Sequence, residues 1–152
     1  MKKYLLLTLS ILLAALCGCG LLDDDVPRET IFAYVAEKHE SLETFLEGEL
    51  PNSQASEEAS IRNVLGRKTI VKSVYRYNDN ILEFYCGGTG LSVSSTYSGF
   101  YYSADDTPFG FELNSHELKE TSPGVFEWES SGDGIITERI LPHWFYYHLT
   151  II

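Results

Sequence analysis

The stretch Lys68-Thr69-Ile70-Val71-Lys72-Ser73-Val74-Tyr75-Arg76-Tyr77-Asn78-Asp79-Asn80-Ile81-Leu82-Glu83-Phe84-Tyr85-Cys86 decides the fold. Up to Gly66 the apolar residues recur at helical spacing, and from Lys68 onward the repeat becomes two, the period of a pleated strand. Thr69 to Tyr77 is rich in Ile, Val and Tyr, Asn78-Asp79-Asn80 is turn-like, and Ile81 to Cys86 returns, so the pair reads as an antiparallel hairpin. Gly87-Gly88-Thr89-Gly90 is then expected to end the second strand.

Toward the C-terminus the strand pattern continues without a helix. Gly99 to Ser103 reads as a third strand, and Asp105-Asp106-Thr107-Pro108 turns into a fourth, in which Phe109, Phe111 and Leu113 alternate with Gly110, Glu112 and Asn114. Phe126 and Trp128 alternate in the same way before Ser131-Gly132-Asp133-Gly134. Ile135 to Leu141 and Trp144 to Ile151 make the last pair, broken at Pro142. The final strand is apolar on both parities, which predicts a central position or cover on both sides.

Toward the N-terminus, Asp25 and Pro27 suit a helix start, and Ile31, Val35, Leu42, Phe45 and Leu46 form one apolar stripe that runs to about Glu49. A shorter second helix is expected from Ser53 to Gly66, with Ile61, Val64 and Leu65 inward. Helices first and about six or seven strands after them, joined by short connections, predict the α+β class. The expected architecture is an N-terminal helix and a short second helix packed on an antiparallel meander sheet.

Ahead of the helix, Lys2 and Lys3 precede an apolar run from Tyr4 to Leu16, and Leu16-Cys17-Gly18-Cys19 closes it with small residues. This is the order of a secretory signal. The run of about 13 residues is short of the roughly 20 that span a bilayer. Leu16 and Gly18 ahead of Cys19 resemble the lipobox of bacterial lipoproteins. That resemblance implies removal of residues 1–18, a diacylglycerol on Cys19, an acidic linker over 19–25 and one domain over 26–152. Cys17 is the poorer acceptor, because Leu16 would then stand where a small residue is expected. Two acyl chains, each burying about 0.8 kcal/mol per CH₂, hold a domain on a membrane without a protein span. The implied location is the extracytoplasmic side of the cell membrane.

Charge narrows the partners. Nine basic against 22 acidic residues follow the expected cut, a net charge of about −13. Such a domain is repelled by nucleic acid and by anionic headgroups, so no nucleic-acid partner is expected and the lipid carries the membrane attachment. One of three cysteines leaves with the signal and one carries lipid, so Cys86 stays single and no disulfide supports the fold.

The sequence offers little chemistry. Cys86 is in phase with Leu82 and Phe84, which predicts a core thiol rather than a nucleophile. Gly87-Gly88-Thr89-Gly90 lacks the Lys-Ser/Thr ending of a phosphate loop. His39, His116, His143 and His148 form no HxxxH or HExxH spacing, so neither a metal nor another cofactor is expected. Asp105-Asp106 and Asp133 lie in turns, where aspartate more commonly makes local hydrogen bonds than acid–base chemistry.

The aromatic set Tyr97, Phe100, Tyr101, Tyr102, Trp144, Tyr146 and Tyr147 is harder to set aside, because tyrosine joins an apolar body to a polar tip. It serves either cross-strand ladders or a platform for a carbohydrate or peptide. The candidate ligand surface is therefore Tyr97, Tyr101, Asp105, Asp106, Trp144 and Tyr146, with no catalytic residue assigned.

The segments Phe84 to Gly90, Ser94 to Ser103, Asp105-Asp106 and Pro108 to Phe111, with Thr137-Glu138-Arg139 and Trp144 to Tyr147, resemble small lipoproteins of Gram-positive bacteria. The resemblance implies a lipid-anchored, surface-facing domain and transfers no mechanism. The chain as a whole leaves two expectations: a non-enzymatic domain binding an envelope glycan, peptide or protein, or an envelope hydrolase acting on carbohydrate or peptide through Asp105 or Asp106 with nearby tyrosines, or through Cys86.

Overall fold

A computed structural model describes residues 25–47, 61–91, 94–111 and 117–152. The signal segment, Cys19, most of the acidic linker and the start of the second helix lie outside the described residues. Helix α1 spans Arg28–Glu47, and residues 61–65 form the described part of α2. Seven strands follow: β1 (Ser73–Arg76), β2 (Ile81–Leu91), β3 (Ser94–Ser103), β4 (Lys119–Ser122), β5 (Val125–Ser130), β6 (Asp133–Leu141) and β7 (Trp144–Ile151). All seven join one antiparallel sheet in the order β1-β2-β3-β7-β6-β5-β4. The protein is of the α+β class.

The sheet is not one continuous meander. Two meanders, β1-β2-β3 and β4 to β7, meet where β7 pairs antiparallel with β3. This places β7 at the centre of the sheet, as its apolar residues on both parities require.

One face lies under the helices. Ile31, Val35 and Leu42 of α1 and Ile61 and Leu65 of α2 are buried in one cluster with Val74, Leu82, Phe84, Cys86, Phe100 and Trp144. At its centre Phe84 and Phe100 stack at 4.8 Å, with Trp144 about 6 Å from each at 5.8 and 6.0 Å. The Pro27 carbonyl accepts the first helical amide bonds, from Thr30 and Ile31. Arg28 then grips Glu138 of β6 through two bonds, of 2.8 and 2.5 Å, with its guanidinium 4.2 Å from the Phe32 ring centroid. The Asp25 carboxylate, expected to cap the helix, accepts the Ser98 hydroxyl of β3 and ties the linker to the sheet.

The other face is also covered. Ile81, Tyr101, Ile135, Phe145, Tyr147 and Leu149 pack there with Phe111, joined by the partly buried Phe109, Leu118, Phe126 and Trp128. The expected strand over Phe109 to Leu113 is therefore corrected: Phe109 and Gly110 lie outside the sheet, and Phe111 has a left-handed backbone with φ 50°. Their alternation arises because the connection between β3 and β4 drapes both rings over the sheet. Leu113 lies outside the described residues.

The glycine run is a second correction. It does not end β2, which pairs with β3 as far as Leu91. Tyr85 faces Gly99 and Gly87 faces Ser98, so Cys86 is the extra residue of a β-bulge. A Cβ on Gly88 would lie 2.0 Å from the Thr96 carbonyl oxygen, which explains a glycine within a paired strand. β4 was not expected; all four of its residues are exposed, and Lys-Glu-Thr-Ser carries no apolar alternation.

Candidate functional site

The bulge and register open a groove on the face opposite the helices. Opposite parity from Val74, Leu82 and Phe84 are Tyr75 on β1 and Glu83 and Tyr85 on β2. The register brings Tyr97 of β3 beside Leu149 of β7 and opposite Gly88. These residues, with Tyr77, Phe111, Tyr147 and Ile151, line a concavity of about 340 Å³. That is the low end of small-molecule sites, which run from about 300 to 1,000 Å³.

The rim is tyrosine and the floor holds one acid. Tyr75, Tyr77 and Tyr97 are exposed, at 36, 45 and 39%. Tyr85 and Tyr97 stand 6.3 Å apart with rings tilted by 54°, and Tyr77 meets Phe111 edge-on at 5.3 Å. Glu83 is 7% exposed and its carboxylate accepts a short hydrogen bond from the Tyr147 hydroxyl. Burial first, and then the Glu83 charge, push the Tyr147 phenol well above its ordinary range. Tyr147 thus stays a neutral donor that orients the carboxylate.

The sequence-derived surface does not assemble. Tyr101 is fully buried on the groove side of the sheet, whereas Trp144 and Tyr146 are buried on the helix side. Their strand parities forbid a shared exposed platform. Thr137 has one hydroxyl proton and donates it to the Tyr146 carbonyl at 2.9 Å, so the Tyr101 hydroxyl donates to Thr137 at 2.8 Å. Tyr101 in turn accepts from the Phe109 amide at 2.8 Å. The resulting chain ties the covering connection to β3, β6 and β7. Of the candidate ligand surface Tyr97 alone lines the groove, joined from the wider aromatic set by Tyr147.

Asp105 and Asp106 are both committed to turn structure. Asp105 accepts from the Asn80 amide group at 2.6 Å, tying the β3–β4 connection to the β1–β2 turn. Asp106, at φ 54°, accepts from the His143 amide at 2.6 Å and pairs with Arg139. The His143 amide, followed by Arg139, holds its carboxyl below the ordinary range. Neither aspartate lines the groove. Asp133 accepts the Ile152 amide at 2.8 Å.

Cys86 is buried within the helix-side core, and burial pushes its thiol far above its ordinary value, which suppresses the thiolate. Among the described residues no three His, Cys, Asp or Glu side chains gather as metal ligands. The sequence reading missed Tyr75, Tyr77, Glu83 and Tyr85. The signal was the second parity of the hairpin, which carries three tyrosines and one carboxylate beside the apolar parity. No protein-family model, curated protein sequence or solved structure matches the chain.

Proposed function

We propose that this protein is a lipid-anchored domain on the extracytoplasmic side of the cell membrane that binds an envelope ligand without transforming it. The groove of Tyr75, Tyr77, Tyr85 and Tyr97 is its ligand site. One observation carries the reading: exposed tyrosines converge on a concave surface over a buried, oriented carboxylate. Aspartates that a hydrolase would use are bound into turns away from that surface. Among the described residues no helix is long and apolar enough to cross a membrane, and the Leu16-Cys17-Gly18-Cys19 pattern supports attachment through Cys19.

The binding half is tested with membrane-extracted full-length protein on an array of envelope glycans, peptides and headgroup fragments, beside Tyr75→Ser and Tyr97→Ser. Binding that falls in both variants while their thermal unfolding stays at the wild-type value supports the groove. Unchanged binding in both, or none in the wild type, refutes it. For the anchor, intact mass should show a diacylglyceryl adduct on a chain beginning at Cys19, lost in Cys19→Ser. An unmodified chain cut elsewhere refutes it.

A further inference from the structure

We propose that the β1 edge of the sheet, with the turn that leads into it, is a docking surface for a bilayer that carries anionic phospholipid. The surface is distinct from a ligand role for the groove, and it rests on the anchoring reading only in placing a bilayer within reach. The net acidity of the chain is not evenly spread. Residues 59–78 hold Arg62, Arg67, Lys68, Lys72 and Arg76 and no acid, so all 22 acidic residues lie outside them. All five basic residues are exposed. Charges are screened over about 8 Å at physiological ionic strength, so a nearby surface senses the local charge rather than the total.

The fold gathers these charges on one border. β1 is the terminal strand of the sheet, and the Lys72 amide extends its pairing by donating to the Tyr85 carbonyl at 2.8 Å. Ile61, Leu65, Val71 and Val74 are sunk in the helix-side core, and the Thr69 amide closes a turn on the Gly66 carbonyl at 3.2 Å. The basic residues between these fixed points stand outward along the border. Even with Asp79 of the next turn and the buried Glu83 counted against them, five bases meet two acids.

Charge alone would suit any polyanion, and the residues among the bases favour a bilayer. Val64, Tyr75 and Tyr77 are 42, 36 and 45% exposed, half of the six exposed large hydrophobic residues among the described residues. Tyrosine and the apolar stems of Lys and Arg suit the headgroup layer, which satisfies an apolar body and a polar tip together. Position agrees with this. Asp25 holds the incoming chain on Ser98 of β3, which lies two strands, about 10 Å, from β1. Extended chain from Cys19 to Asp25 spans at most about 20 Å, so an anchor at Cys19 leaves the β1 edge within reach of the headgroups. The acidic remainder is repelled by the same surface, and attraction and repulsion together select one orientation. Tyr75 and Tyr77 also belong to the groove, whose rim then lies beside the headgroups.

The test acetylates full-length, membrane-extracted protein on vesicles of phosphatidylcholine alone or of equal parts phosphatidylcholine and phosphatidylglycerol. The reagent is uncharged, each lysine is read by mass spectrometry, and Lys119 on the opposite edge strand is the internal reference. Lys68 and Lys72 should label about fivefold more slowly, or slower still, on the mixed vesicles, and high salt should abolish the difference. Each basic residue near an anionic surface strengthens docking about fivefold. The double variant Arg67→Gln, Lys68→Gln should therefore weaken docking about 25-fold and return Lys72 to its rate on neutral vesicles. Both positions are exposed, and the comparison between vesicles uses the unaltered protein, so a folding defect in the variant does not blunt the test.

Protein bound to both vesicles with equal labelling overturns the docking surface and leaves the anchor standing. Protection of Lys72 that survives in the double variant also overturns the docking surface, as does protection by soluble polyphosphate without protection by mixed vesicles. Binding to mixed vesicles alone, with Lys68 and Lys72 protected, supports the docking surface and refutes the anchor at Cys19. Binding to neither overturns both.

Discussion

Replacing Tyr101 by Phe separates a structural tyrosine from a ligand-binding one. The ring keeps its place against Phe145, stacked at 5.3 Å, and against Phe111, edge-on at 5.3 Å, so packing is retained. What goes is one oxygen that donates to Thr137 and accepts from the Phe109 amide. A buried hydroxyl bond is worth about 1 kcal/mol net, and an amide left without its acceptor costs about 1–3 kcal/mol more. Tyr101→Phe should therefore destabilise the domain by about 2–4 kcal/mol, a large share of the roughly 5–15 kcal/mol typical of a folded domain.

Denaturant unfolding measures this as a lower midpoint at unchanged slope. Tyr97→Phe, on the exposed rim, serves as control and should stay within about 0.5 kcal/mol of wild type. The deficit also depends on pH. Burial raises the Tyr101 phenol above its ordinary value of 10.0, so the native state resists the ionisation that the unfolded chain undergoes. Wild-type stability from this group is complete below pH 10.0 and declines above it, while Phe has nothing to ionise; the gap between the two should narrow in alkali. A Tyr101→Phe protein within about 0.5 kcal/mol of wild type at neutral pH would refute the buried chain.

Other consequences are equally direct. Gly99→Ala would place a Cβ 2.3 Å from the Phe84 carbonyl oxygen and 2.9 Å from the Tyr147 ring, so it should cost about 1–3 kcal/mol in denaturant unfolding and disturb the groove floor; a neutral substitution would contradict the register. Trp144→Ala should cost about 3–5 kcal/mol by the same assay, from cavity formation beneath α1, whereas an exposed binding residue would cost little. In an alkaline titration followed by tyrosinate absorbance, Tyr146, pushed up to about 12 first by burial and next by Asp25, should ionise late and together with loss of native structure. Ionisation of Tyr146 near its ordinary value, with the fold intact, would contradict its burial.

The parts of the fold that the sequence disclosed are those in which one period dominates. Ile31, Val35 and Leu42 lie on a single helix stripe, and all are buried. The apolar residues of Trp144 to Leu149 on both parities foretold a strand with neighbours on each side and cover on each face. The misreadings have local causes. Glycines commonly end strands, yet Gly88 sits within one because the Thr96 carbonyl leaves no room for a Cβ. Phe109 and Phe111 alternate as a strand would, but an alternation reports only that two rings point the same way, and here they point down from a covering connection.

The site was less legible than the fold. Its tyrosines lie on four separate strands and the turn after β1, and only the β2–β3 register brings Tyr85 to Tyr97. Tyr101 and Trp144 drew notice through their composition, although parity and burial assign them to opposite cores. Glu83 gave no signal by itself, since one carboxylate in a strand looks like a solvated position until the pairing with Tyr147 is known.

The central claim is that ligand meets the tyrosine groove and not the aromatic set as a whole. Ring-selective tyrosine and tryptophan NMR of the full-length protein, titrated with the envelope ligand that binds on the array, tests it most directly. The rings of Tyr75, Tyr77, Tyr85 and Tyr97 should shift together along one saturation curve, while those of Tyr101, Trp144 and Tyr146 stay in place. Saturable shifts centred on Tyr146 or Trp144, with the four groove tyrosines unmoved, would contradict the account.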